Sequence, residues 1–228
     1  ATGVISTTGT ATNYEALTSY TLTVTVSDGT ATVTATDIAI AITNVNEAPV
    51  FGAGATATAN VAEGTTTVAT YSATDADTAN TLTYSIVAVG ANAASVDHDL
   101  FAINSATGAL TFAAAPNFEA LGCGAGNNAN GCVVVLSVTD STAGSADDTI
   151  TVTVTITDVN EAPVVANAIA DASANEDASY TLSLSNVFSD VDSGDSCTYT
   201  MSGAPSTLSI SSGTISGTPI NANVGTHT

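Results

Sequence analysis

An all-β chain of tandem immunoglobulin-like β-sandwiches is the architecture this sequence predicts, and three observations carry it. The string Thr43-Asn44-Val45-Asn46-Glu47-Ala48-Pro49 returns almost unchanged as Thr157-Asp158-Val159-Asn160-Glu161-Ala162-Pro163, 114 residues later. That period is the length of an immunoglobulin-like module with its linker. Apolar residues then recur at every second position, as in Ile150, Val152, Val154 and Ile156 with Thr between them, which is the pattern of a strand with one buried face. No stretch carries the 3.6-residue period of an amphipathic helix. Acidic chains with few aromatics can be disordered, but an apolar fraction of 44% with strong alternation argues for a packed core here.

Taken in order, the first segment predicts a strand over residues 20–26, a turn at Asp28-Gly29 and a second strand running to Ile42. Val33 has the opposite parity from Ile38 and Ile40, so a bulge or break is expected near Thr36-Asp37. Strand-like runs follow at 66–72, 82–88, 100–103, 110–112, 133–138 and 150–156. Short strands separated by turn signals argue for a sandwich whose two sheets share one core. The third segment is richer in Ser, with expected strands at 180–184 and 198–201 and around Gly213-Thr214-Ile215-Ser216-Gly217. The predicted modules are 1–47, 48–161 and 162–228. Ala1-Thr2-Gly3-Val4-Ile5 resembles Ala106-Thr107-Gly108-Ala109-Leu110, so the chain is expected to open inside one module and to stop inside another.

The charge balance excludes whole classes of function. There are 21 Asp and Glu, no Lys and no Arg. A chain of net charge −21 lacks the cationic contacts that nucleic acid requires, and it is repelled by anionic membranes. No signal peptide, membrane span or anchor is read in these residues. No Lys or Arg salt bridge can form, so each carboxylate must be solvated, bonded to amide or hydroxyl donors, or neutralised from outside. The acids cluster beside Asn and beside the repeated string, which favours a metal over mere solubility.

Comparison of the two copies isolates an insertion, Gly122-Cys123-Gly124-Ala125-Gly126-Asn127-Asn128-Ala129-Asn130-Gly131-Cys132. Two Cys flanking a Gly/Asn loop predict a disulfide, Cys123–Cys132, and an oxidising compartment. Cys197 is expected to be a buried small apolar residue. His98, between Asp97 and Asp99, is expected on a surface turn, and His227 carries no signal. The many Ser lack a His base, so nucleophilic catalysis has no support. Asp-x-Asp pairs at the joints do not form the central cleft of a glycosidase, and no Gly-rich stretch is followed by the Lys and helix of a phosphate loop. The expectation is a protein that is not an enzyme.

These residues resemble the cadherin family and its bacterial cadherin-like relatives. The joint Asp158-Val159-Asn160-Glu161-Ala162-Pro163 is similar to the family's acidic linker. Ala62-Glu63-Gly64, Ala73-Thr74-Asp75-Ala76-Asp77, Asn13-Tyr14-Glu15, Asn117-Phe118-Glu119 and Val26-Ser27-Asp28-Gly29 resemble its inner motifs, in order, over residues 1 to 163. The third segment resembles dystroglycan-type cadherin-like or immunoglobulin modules of bacterial surface proteins, through Phe188-Ser189-Asp190-Val191-Asp192 and Ile215-Ser216-Gly217-Thr218-Pro219. Asn stands for the family's Asp at Asn13, Asn44 and Asn117, and Ala48 and Ala162 replace its last Asn, so fewer or weaker ions per joint would follow.

The resemblance implies Ca²⁺, which takes six to eight oxygen ligands, rather than Mg²⁺, which dehydrates reluctantly. For the first joint the implied set is Glu15, Asn44, Asn46, Glu47, Asp75, Asp77 and Asp140. For the second it is Glu63, Glu119, Asp158, Asn160, Glu161, Asp190 and Asp192. Asn13 and Asn117 could add oxygens, and Asp28 and Glu176 would serve joints beyond these residues. The expected function is a calcium-rigidified extracellular structural or adhesive region of a bacterial surface protein: stalk, spacer or fibre. Its partners are neighbouring modules of the same chain. The alternatives are a self-assembling filament with homotypic contacts, and a carbohydrate-binding accessory region with a glycan ligand, which the absence of Trp disfavours.

Overall fold

The computed structural model describes residues 5–7, 9, 11–35, 37–88, 96–120, 122–123, 131–142, 148–223 and 225. The expectations placed on residues 1–4, Thr36, the loop 124–130 and His227 lie outside them. The chain divides into two compact units, Ala1–Thr157 and Asp158–Thr228. Among the described residues the secondary structure is strand, turn and two short 3-10 turns, with no α-helix.

The first unit begins with two antiparallel ribbons. β1 (Ser19–Leu22) pairs with β4 (Ile38–Ala41), and β2 (Thr25–Ser27) pairs with β3 (Thr32–Thr34). The expected strand over 20–26 is therefore broken at Thr23-Val24. Thr23 Oγ1 donates to Asp37 Oδ1 at 2.5 Å there, and Val24 O accepts the Ala35 amide at 2.7 Å. The second strand is interrupted between Thr34 and Ile38, where the change of parity requires it. The Asp28-Gly29 turn forms, with Gly29 at φ +94°. A buried apolar face was expected and is not found: Val26 and Val33 are each 67% exposed. Alternation reports which side chains share a face, and among the described residues no second sheet covers this one.

A two-sheet sandwich follows. Its strands are β5 (Val50–Phe51), β6 (Thr56–Ala62), β7 (Thr67–Thr70), β8 (Ala73–Thr74), β9 (Thr83–Ile86), β10 (Phe101–Ile103), β11 (Ala109–Phe112), β12 (Gly131–Thr139) and β13 (Asp148–Thr157). One sheet has the order β6-β13-β12-β9 and the other β10-β11-β7, with β5 and β8 as a separate ribbon. Leu136 stands opposite Ile150 and Val134 opposite Val152, all four fully buried. Burial of each such side chain contributes about 1.5–3 kcal/mol. Phe101 and Phe112 stack from the facing sheet at 4.5 Å between ring centres. β6 was not expected. It pairs in parallel with β13, Thr56 with Thr151 through Ala62 with Thr157, and its alternation is of Thr with Ala, whose small side chain gives a weak periodic signal. At the β10–β11 hairpin, Gly108 (φ +71°) lies against Tyr71, where a Cβ would collide with the Tyr71 carbonyl.

The second unit holds β14 (Val164–Val165), β15 (Tyr180–Ser183), β16 (Phe188–Ser189), β17 (Leu208–Ser211) and β18 (Thr214–Gly217). β14 pairs with β16, and β18 sits between β15 and β17. The strand expected over 198–201 does not form. Its residues line an apolar cleft with Leu184, Phe188, Ile210 and Ile215, and Tyr199 packs edge-on to Phe188 at 5.9 Å. Side-chain alternation is thus satisfied without a hydrogen-bonded neighbour strand. Cys197 is a half-buried free thiol rather than a buried one.

Candidate metal centre

Two acid turns, one in each unit, are built alike. In the first unit the turn follows β8. The amide of Asp77 donates to Asp75 Oδ1 at 2.7 Å, which closes an Asp-x-Asp loop. The extended Asn44-Val45-Asn46-Glu47 segment lies on it. Asn44 Nδ2 donates to Asp77 Oδ1 at 2.6 Å, and the Glu47 amide donates to Asp77 Oδ2 at 3.0 Å. Asn46 Nδ2 reaches Glu47 O at 3.0 Å and Asp140 Oδ2 at 2.7 Å. Asp140 stands just beyond the end of β12, so a long strand of the core delivers a carboxylate to this turn. One carboxylate oxygen each from Glu15, Glu47 and Asp77 lies within 4.8 Å of the others. All seven residues expected at the first joint are thereby assembled.

Asn80 was not expected. Its Nδ2 donates to Asn46 Oδ1 at 2.9 Å and to Asp140 Oδ2 at 3.2 Å, and its Oδ1 accepts from Thr142 Oγ1 at 3.1 Å. The available signal was its place three residues after Asp77, whose carbonyl accepts the Asn80 amide at 2.9 Å.

The electrostatics of the first turn push its two carboxyls in opposite directions. Partial desolvation, followed by repulsion from Glu15 and Asp77, pushes the Glu47 carboxyl above the ordinary glutamate range. The Asn44 amide, then the Glu47 N–H, hold Asp77 below the ordinary aspartate range. Asp75 Oδ2 is buried and accepts no hydrogen bond. A buried carboxylate oxygen without a donor, beside three convergent carboxylates in a chain with no Lys or Arg, is chemistry that a hard divalent cation satisfies. The residues present fit calcium.

The second unit repeats the device. The Asp192 amide donates to Asp190 Oδ1 at 3.2 Å, the Glu161 amide to Asp192 Oδ2 at 2.8 Å, and Asn160 Nδ2 to Glu161 O at 2.8 Å. Asp192 Oδ1 is again buried with no hydrogen-bond partner. Asp195 takes the place of Asn80, its amide donating to Asp192 O at 3.3 Å. Asp158 and Glu161 each bring a carboxylate oxygen within 4.8 Å of the other.

The remaining expected ligands fall into two groups. Glu63 and Glu119, both in the first unit, likewise approach within 4.8 Å. Glu63 is 8% exposed at the end of β6 and accepts the Phe118 amide at 2.9 Å. Asn117 Oδ1 accepts the Ala120 amide at 2.6 Å, as Asn13 Oδ1 accepts that of Ala16 at 2.7 Å. Asp28 uses Oδ1 on its own hairpin, accepting the Thr30 and Ala31 amides at 2.8 Å each. The Ala31 bond, then that of Thr30, lowers its carboxyl. Glu176 is exposed in a turn. Asp97 and Asp148 are structural: their carboxylates accept the amides of Val133 and Phe51 at 2.7 and 2.8 Å. His98 sits on a 3-10 turn with Nε2 3.2 Å from Asp99 Oδ1. Cys123 and Cys132 form the expected disulfide.

Comparison with known proteins agrees with the fold. The family model described as "Putative Ig domain" matches residues 162–228. A structure of protocadherin gammaB7 EC3-6, titled as a cis-dimer, aligns at TM-score 0.55 and 20% identity over 93% of this chain. Protocadherin gamma B2 extracellular cadherin domains 3-6 align at TM-score 0.53 and 20% identity, also over 93%. The chain covers 53% of each of those chains, about half their length. No curated protein matches the sequence. The fold is that of tandem cadherin-like repeats, followed by an immunoglobulin-like domain, and the acidic clusters resemble cadherin calcium sites.

Proposed function

We propose that this chain is a calcium-rigidified structural or adhesive region of an extracellular surface protein, acting as a stalk, spacer or fibre. The observation that carries the reading is the duplicated acid turn with a buried carboxylate oxygen that no donor reaches, at Asp75 and again at Asp192. Asp75, Asp77, Glu15, Glu47, Asn44, Asn46 and Asp140 would hold the ion of the first joint. Glu63 and Glu119 in the first unit, and Asp158, Asn160, Glu161, Asp190 and Asp192 in the second, would serve as further ligands of their own units. When bound, calcium would supply the positive charge that the composition withholds. The Cys123–Cys132 bridge and the cadherin-like fold support a location outside the cell. The bound partners are neighbouring modules of the same chain.

Thermal melting with and without chelator tests this. Calcium at a hundredfold its dissociation constant should stabilise a single site by about 2.7 kcal/mol. A melting curve indifferent to chelator overturns the reading. A second reading, self-assembly into filaments, is favoured by the apolar residues exposed on β2 and β3. Light scattering that finds only monomer at high concentration ends it.

A further inference from the structure

The Glu119 segment differs from its earlier counterpart in how it reaches the core. Ser19, the first residue of β1, stands four residues after Glu15. β12 begins twelve residues after Glu119, at Gly131. The insertion lengthens the tether, yet Cys123 stands four residues after Glu119 and is bridged to Cys132, which is fully buried in β12. The bridge holds the two Cα atoms 5.0 Å apart, where nine free residues could extend to roughly 30 Å. Cys123 and Phe118 both pack against the core, on either side of Glu119. Tyr14, in the place of Phe118, is 37% exposed.

We infer that Cys123–Cys132 is a positioning device for Glu119: it restores the four-residue connection that the insertion removed and holds the carboxylate against Glu63. The inference rests on the metal reading above for its consequence, which is that calcium affinity at the Glu63 and Glu119 site depends on redox state. The Glu15 site has no such bridge and serves as the control within the same chain.

The 228-residue chain carrying Cys197→Ser is compared with the same chain also carrying Cys123→Ser, which leaves Cys132 packed in the core. Amide hydrogen exchange is read first, without metal. The Phe118 and Ala120 amides should lose protection, while Ala16 and the β13 amides stay as they were. Unchanged protection at 118 and 120 overturns the inference, and loss across β13 as well reassigns the bridge to general stability and overturns it too. Calcium titration follows. Loss of a group that orients a ligand should weaken the site about 10–100-fold, with the Asp75 and Asp77 site unmoved. Equal affinity in the two chains overturns the redox coupling, and absence of calcium binding in both overturns the metal reading while the exchange result still decides the positioning role.

Discussion

The Asp75 and Asp190 turns share one backbone scheme in two settings of different sequence. In both, an Asp-x-Asp loop accepts its own second amide and then the amide of the Glu that precedes Ala-Pro. Each leaves a buried carboxylate oxygen without a donor, on the first Asp of the loop at Asp75 and on the second at Asp192. They differ in what surrounds the loop. The first is buttressed by Asn44, Asn80, Asp140 and Thr142, whereas the second has Asp195 where the first has Asn80. The comparison teaches that the acid turn is held by main-chain geometry, and that the surrounding side chains set its charge.

The largest expected effect comes from removing a loop carboxylate. Asp75→Ala should abolish calcium binding at the first turn and leave the second within about 0.5 kcal/mol, because the two turns belong to separate units. Asp190→Ala should do the reverse. Titration calorimetry of both variants checks this, and loss of both sites from either change would end the claim that the turns are independent.

An exchange of Asn80 and Asp195 comes next. Asn80→Asp adds a carboxylate to the first turn, so calcium should bind it more tightly while the metal-free chain melts lower. Asp195→Asn should weaken the second turn and relieve it without metal. A smaller change is Asn80→Ala, which removes the bonds to Asn46, Asp140 and Thr142. Chemical denaturation without calcium should record a loss of about 1–3 kcal/mol.

Acidity gives the smallest effect and the finest test. Glu47 is raised, so its contribution is fully present below its unfolded pKa and fades as pH rises through the folded one. Asp77 is depressed, so its contribution holds above its unfolded pKa and is lost as pH falls through the folded one. On acidification of the metal-free chain Glu47 should protonate before Asp77, the one from above the glutamate range and the other from below the aspartate range. Carboxyl carbon NMR follows both midpoints. Calcium should drive the Glu47 midpoint down, and a midpoint that ignores calcium would remove Glu47 from the ligand set.

Much of this was legible in the residues. Ile150, Val152, Val154 and Ile156 announce β13 because large apolar side chains alternate without exception, and their burial is complete. β6 was illegible because Ala hardly differs from Thr in what it contributes to a periodic signal. Residues 198–201 alternate as a strand does, but a ladder needs a neighbour, and periodicity does not report one. The seven residues that gather at the first acid turn were readable from their motifs. Asn80 was not, because its role depends on Asp140 and Thr142, which are brought from 60 residues away by the end of β12.

The parallel pairing of β6 with β13 has a mechanical consequence. The chain passes from β5 into the Thr56 end of the pair and leaves it at the Thr157 end, with seven residues of each strand in register. Tension along the polypeptide therefore pulls the two strands lengthwise past one another. Their bonds are loaded together in shear rather than peeled apart in succession, which suits this module to resist extension.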